Sequence, residues 1–342
     1  MSERLALPGF VNAHSHAFQR RLRGRAEGGD FWAWREAMLD LARGLTPKDV
    51  RTDYAAVYRE MRAAGYTAVG EFHYLGLAEA EAALDAAGEA EIAIVLLHVA
   101  YARGGLDRFR QPSATAYLEQ VERLRARGAV VGVAPHSVRA CPPDWLEEIG
   151  RYAGREGLVL HVHADEQPRE IDESVGEHGA RPIELLARTG CLGPRTTIVH
   201  ATHASDAELD LLADAGARIC VCPTTEANLG DGFAPIERAR ARAIGLCVGS
   251  DSNVRIDPLE ELRELEGIAR RQTLRRNVIP VKDLLAVGSA DGADSLGLER
   301  WDGIEVDLDH RSLAGVAADE VPAALVFGCA ADVVALPFHS SL

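Results

Sequence analysis

His14-Ser15-His16 carries two imidazoles two positions apart. On an extended strand alternate residues share a face, so both rings can reach one ion. Polar residues also close other apolar runs: Glu71-Phe72-His73-Tyr74, His98, His136-Ser137, His161-Val162-His163 with Glu166 just beyond, His200-Ala201-Thr202-His203, and Ser250-Asp251-Ser252. Imidazole and carboxylate are the ligands a borderline divalent ion such as zinc prefers. A hydrogen-bonded histidine pair would account for His14 and His16 alone. Adding His163 and Asp251 at two other run ends shifts the balance to a metal site. His161 shares a face with His163, but the residue nearer the end of the run projects into the mouth, so His163 is the expected ligand and His161 a packed core histidine. His203 lies past its run and is expected to hydrogen-bond at the solvent side.

These residues need a scaffold that brings distant run ends together. Eight short apolar runs, near Leu7–Asn12, Thr67–Phe72, Ile92–Val99, Val130–Ala134, Leu158–Val162, Thr197–Val199, Arg218–Val221 and Leu246–Gly249, read as strands. Between them lie stretches of helical period: Pro47–Ala64, Ala114–Ala126, Pro143–Arg155, Arg181–Thr189, Asp206–Ala215 and Pro235–Ala243. That alternation predicts an α/β fold with parallel strands, and eight repeats predict a closed (β/α)8 TIM barrel. In such a barrel the C-terminal ends of the strands surround one pocket. An open doubly wound sheet is the runner-up, but no G-x-G-x-x-G follows the first run. We expect the barrel over residues 1–290 and a small β appendage over 291–342, with Gly303–Asp309 and Ala323–Val334 as its short strands.

The 342 residues are 47% hydrophobic and 26% charged, ordinary for a globular chain, and the formal net charge is −15. An acidic surface repels phosphate backbones and anionic lipid, so neither nucleic acid nor a membrane is an expected partner. Met1 to Leu7 lacks the basic start and apolar stretch of a signal peptide, which predicts a cytoplasmic protein. The six cysteines have no disulfide-framework spacing, and Cys220 and Cys222 sit in an apolar run as expected core filling. An anionic substrate would approach against the overall field, so arginines in the pocket would have to supply local attraction.

His14-x-His16, His163 with Glu166 three residues later, His200 and Asp251 resemble the metal-dependent amidohydrolase superfamily. More narrowly, the blocks Asn12 to Arg20, Phe31-Trp32-Ala33-Trp34-Arg35, Glu71 to Tyr74, His136-Ser137-Val138-Arg139 and Cys222 to Gly232 are similar to those of the formimidoylglutamate deiminase family. The resemblance implies hydrolysis of N-formimino-L-glutamate to N-formyl-L-glutamate and ammonia, a step of bacterial histidine degradation. Two-metal members of the superfamily bridge their ions through a lysine at the end of strand four. Here that strand ends Ala134-Pro135-His136-Ser137, so one divalent ion per subunit, zinc by expectation, would be held by His14, His16, His163 and Asp251. Asp251 or His200 would take a proton from the attacking water, with His200 orienting it. Glu166 would shuttle a proton to the departing nitrogen. Arg35 and Arg139 would grip a small dicarboxylate substrate, with Gln19, Tyr74 and His136 adding hydrogen bonds. Phe31-Trp32-Ala33-Trp34 reads as a lid or wall, and Asn228 with Gly230-Asp231-Gly232 as loop-shaping residues.

The resemblance also defines departures. Family members begin with several dozen residues forming half of a small β-sandwich, whereas this chain starts seven residues before Pro8 and is expected to lack that half, and the ending Ala335-Leu336-Pro337-Phe338-His339 differs from theirs. An incomplete appendage would expose apolar surface, which predicts a homodimer. Two other functions remain as alternatives: another mononuclear amidohydrolase that deaminates purines, pyrimidines or triazines, and a catalytically silent metal-binding paralogue.

Overall fold

The computed structural model describes residues 3–335; the ending from 336 onward lies outside them. Eight strands form a parallel sheet in chain order: β2 (Phe10–Ser15), β3 (Tyr66–His73), β4 (Ala93–Ala100), β5 (Val131–Pro135), β6 (Leu160–Ala164), β7 (Thr196–His200), β8 (Arg218–Val221) and β9 (Gly245–Val248). A bridge between Ser15 and Asp251 brings the last strand back to the first, with His16 N donating to Asp251 O at 2.8 Å and Asp251 N to His14 O at 3.0 Å. The result is the expected (β/α)8 barrel, nearly closed. Its seam is made by backbone at the very residues singled out as ligands.

Local chemistry explains the connections. Thr46 and Ser205 close capping boxes at the starts of Pro47–Ala63 and Asp206–Ala215. Gly157 ends Pro143–Glu156 in the left-handed conformation, at φ +65°. Close approach also dictates sequence at the seam: a Cβ on Gly249 would lie 2.6 Å from His14 O, so no larger residue fits without moving the strand that carries the histidines.

Three expectations are corrected. The first apolar run divides at Gly9: Arg4–Pro8 (β1) leaves the barrel and pairs antiparallel with β10 (Gly303–Asp307), which in turn pairs with β11 (Val334–Ala335). The small sheet thus draws on both sides of the barrel sequence. Ala323–Val334 is mostly a helix, Val321–Gly328, and only Val334 and Ala335 are strand. Its apolar residues follow one another without alternation, a pattern that a buried helix satisfies as well as a strand. The apolar exposure expected at the appendage is also not found among the described residues. Ile304 and Val306 are buried and join the main core, while the exposed large apolar residues, Val130, Val175, Phe233 and Leu274, lie elsewhere. Among the described residues, no helix is long and apolar enough to cross a membrane.

Candidate metal centre and substrate cavity

At the C-terminal mouth, His14 from β2, His16 just after it, His163 from β6 and Asp251 after β9 converge. His14 Nε2 lies 3.2 Å from His16 Nε2 and 3.1 Å from His163 Nε2. Asp251 Oδ1 lies 3.6 Å from His14 Nε2 and 3.3 Å from His16 Nε2. All four residues are buried.

The tautomers test whether a cation fits. His16 Nδ1 meets the Phe72 carbonyl at 2.9 Å, and His163 Nδ1 meets the His136 carbonyl at 3.1 Å. A carbonyl only accepts, so both Nδ1 atoms carry the hydrogen and both Nε2 atoms present lone pairs. His14 can offer one N–H at most, which satisfies one of its neighbours and leaves the other lone pair and the carboxylate facing it. A shared cation satisfies every donor at once. Zinc–nitrogen bonds of about 2.0–2.1 Å place tetrahedral ligands about 3.3 Å apart, matching the separations found. Burial pushes the His14 imidazole down to about 3, so protonation does not compete for its lone pair near neutrality. Burial alone would raise Asp251, but the surrounding imidazoles hold it below the usual carboxylate range.

Beside this cluster, His200 is flanked by three carboxylates: Glu226 Oε1 at 3.2 Å from Nδ1, and Glu166 Oε1 and Asp251 Oδ2 at 3.7 and 3.9 Å from Nε2. Burial would lower its pKa, but those carboxylates outweigh it and raise it to about 10. Burial raises Glu166 to about 7, with His200 and Arg139 pulling the other way. His200 and Asp251 both adopt left-handed backbone, φ +73° and +45°. Such strain costs about 1–3 kcal/mol per residue and is held here by the adjoining backbone hydrogen bonds of the barrel.

A cavity of about 290 Å³ opens onto the cluster and is lined by His16, His163, Asp251, Glu166 and His200 on one side. The expected substrate residues Gln19, Arg35, Tyr74, His136 and Arg139 line the rest, together with Phe31, Trp32 and Trp34. Gln19 Nε2 donates to Tyr74 Oη at 2.9 Å. Arg139 Nε faces Glu170 Oε1 at 3.3 Å, and its Nη2 lies 4.0 Å from Glu166.

Not every polar strand end joins the cavity. His73 meets Tyr54 and His98 meets Gln120, both away from the cluster. His161 lies deeper and meets the Ser295 carbonyl at 2.9 Å. His203 reaches the Asp231 carbonyl at 2.8 Å. Conversely, the spacing reasoning passed over Glu226, Tyr101 and Arg103. Glu226 belongs to Pro223–Leu229, a short helix in a segment read as loop, and attention to the carboxylate partner that a buried strand-end histidine such as His200 needs would have found it.

Residues 5–306 match the amidohydrolase family, and the chain belongs to that family, a hydrolase acting on C–N bonds. It is 38% identical to formimidoylglutamate deiminase of Pseudomonas aeruginosa over 327 residues, 85% of this chain and 72% of that protein. It is 29% identical to 5-methylthioadenosine/S-adenosylhomocysteine deaminase of Halobacterium salinarum, over 86% of this chain and 69% of that one. Among solved structures, an amidohydrolase from Brucella melitensis superposes with a TM-score of 0.84 at 31% identity, covering 96% of this chain and 84% of that one. An adenosine deaminase from Xanthomonas campestris with bound zinc shares the fold, with a TM-score of 0.87 at 23% identity, covering 97% of this chain and 78% of that one.

Proposed function

We propose that this protein hydrolyses N-formimino-L-glutamate to N-formyl-L-glutamate and ammonia. The observation that carries the reading is the pairing of Arg35 and Arg139 with the metal cluster on one cavity, in an otherwise acidic protein. A neutral substrate has no need of two guanidinium groups there, and a dicarboxylate does. Buried Glu170 already balances part of the Arg139 charge, whereas Arg35 pairs with the exposed Glu36 at 3.2 Å, so Arg35 is the less committed partner for the second carboxylate. The similarity to formimidoylglutamate deiminase supports the same substrate.

His14, His16, His163 and Asp251 would hold one zinc ion per subunit, which would supply the Lewis acidity that makes water nucleophilic near neutral pH. Asp251 Oδ2, turned toward His200, accepts the proton that the water loses. The His200 Nε2 face orients the water toward the formimino carbon. Glu166, raised toward neutrality, carries a proton to the terminal nitrogen, whose bond to that carbon breaks so that it leaves as ammonia. Gln19, Tyr74 and His136 hydrogen-bond the substrate, and the aromatic wall of Phe31, Trp32 and Trp34 closes the cavity against water. A cytoplasmic homodimer serving histidine degradation completes the reading.

A second reading, deamination of an adenosine-type nucleoside, is favoured by that aromatic wall and by the nucleoside deaminases at 26–30% identity. Ammonia release measured in parallel on N-formimino-L-glutamate, 5-methylthioadenosine and S-adenosylhomocysteine separates the two. Turnover of the first alone is the expected result. Turnover of the nucleosides alone replaces the proposal with the second reading, and none from metal-loaded protein refutes both in favour of a silent paralogue.

A further inference from the structure

Asp251 presents its two oxygens to two different groups. Oδ1 faces His14 and His16, whereas Oδ2 faces His200 Nε2 at 3.9 Å. Cys222, the residue that follows β8, lies close to both His200 and Asp251. Ligand atoms of His200, Cys222 and Asp251 all lie within 4.8 Å of one another, and all three residues are buried. Glu226 strengthens the arrangement: its Oε1 accepts from the Cys222 backbone N–H at 2.9 Å and meets His200 Nδ1 at 3.2 Å. With Nδ1 engaged, Nε2 is the nitrogen left to face Oδ2.

We propose that His200, Cys222 and Asp251 form a second cation site, bridged to the first through Asp251, which takes a thiophilic divalent ion such as cadmium or excess zinc and inhibits the enzyme. The donor set decides the class of ion. One nitrogen, one sulfur and one oxygen suit soft or borderline ions and discriminate against magnesium and calcium, which require oxygen ligands. The route is the substrate cavity, because His200 and Asp251 line it. As the ion binds, the Cys222 thiol proton and the His200 Nε2 proton pass to the buffer, and no oxidant or reductant is involved. Inhibition follows because the same ion occupies His200 Nε2 and Asp251 Oδ2, the two atoms assigned to the attacking water. The inference rests on a cation in the first site and on no particular substrate.

The test begins with protein carrying one zinc per chain, titrated with cadmium by equilibrium dialysis while the ultraviolet thiolate-to-cadmium band and zinc release are followed. The expected result is one cadmium bound with zinc retained, a band that grows with it, and ammonia release falling in step. Cys222→Ser should lose the band and weaken the added cadmium by at least about 10-fold, the scale of one lost metal-site partner, while retaining zinc. Cys220→Ser and Cys247→Ser, at neighbouring buried thiols, should keep the band. Cadmium that merely replaces zinc one for one overturns the proposal, as does a band that survives in Cys222→Ser or vanishes in either control. Should Cys222→Ser fail to fold, the unsubstituted protein still decides, because absence of a second equivalent or of the band refutes the site. These binding readouts need no substrate, so they fail or succeed independently of the proposed reaction.

Discussion

Glu166 lies between His200 at 3.7 Å and Arg139 at 4.0 Å, and its burial outweighs those two cations and raises it to about 7, which suits it to moving a proton. Glu166→Gln keeps its shape and hydrogen-bonding reach but cannot carry the proton. It is expected to lower kcat by about 10²-fold or more with metal content unchanged, the scale of a lost acid–base group. Steady-state kinetics beside metal analysis checks this, and an unchanged kcat removes Glu166 from the mechanism. Arg139→Ala is expected to raise KM by about 10- to 100-fold, the loss of a charged hydrogen bond worth about 1.5–3 kcal/mol. It also strands Glu170 as a buried charge, so thermal stability should fall as well. Loss of the metal in that variant would mean the arginine belongs to the cluster rather than to the substrate. Glu226→Gln removes the charge behind His200 while preserving a hydrogen-bonding side chain. We expect kcat to fall about 10-fold or more with KM little changed, the range for a metal-site or catalytic second-sphere partner. A shift of KM alone would place Glu226 with the substrate instead.

At the scale of elements, the seam between β2 and β9 is where fold and chemistry share atoms. Gly249→Ala forces a Cβ against His14 O and His14 Cβ, at 2.6 and 2.8 Å, neither of which can yield without moving the ligand pair. The variant is expected to purify with less than half the metal of the parent and a lower melting temperature, by metal analysis and calorimetry. Normal metal content would show that the seam has slack. The barrel strands were legible because each is a short apolar run between helix signals, and Ala114–Ala126 and Asp206–Ala215 carry those signals at both ends. The clustering of four candidate ligands was legible because strand period two puts His14 with His16 and points to the strand end at His163 and Asp251. What was not legible came from tertiary context. Gly9 is an unremarkable residue in a strand-like run until Asp302 and Thr67 crowd it, and only then does the run divide between two sheets. His73 and His98 have the right type and position in sequence, yet their side chains end on Tyr54 and Gln120. Glu226 acts across a helix that has too few residues to announce itself.

At the scale of the whole molecule, charge sets the approach of substrate. The formal net charge of −15 repels a dianion over long range, while Arg35 and Arg139 attract it only at contact. Salt screens the first effect more than the second, because the Debye length shrinks from about 30 Å at 0.01 M to about 8 Å at 0.15 M. Raising ionic strength over that interval is therefore expected to increase kcat/KM for N-formimino-L-glutamate, by about two- to threefold if repulsion of about 0.5 kcal/mol is removed. A decrease would show that the arginines, not the acidic surface, govern encounter.

The bridge from Ser15 to Asp251 joins the two ends of the eight-stranded ring through a residue of the candidate metal cluster. A cation loaded there would act as a clasp on a bracelet, fastening first strand to last. Chelation should unfasten that join before any other, so deuterium should enter the amides of His16 and Asp251 ahead of those on the opposite side of the ring, and the empty enzyme should fray open from its own catalytic edge.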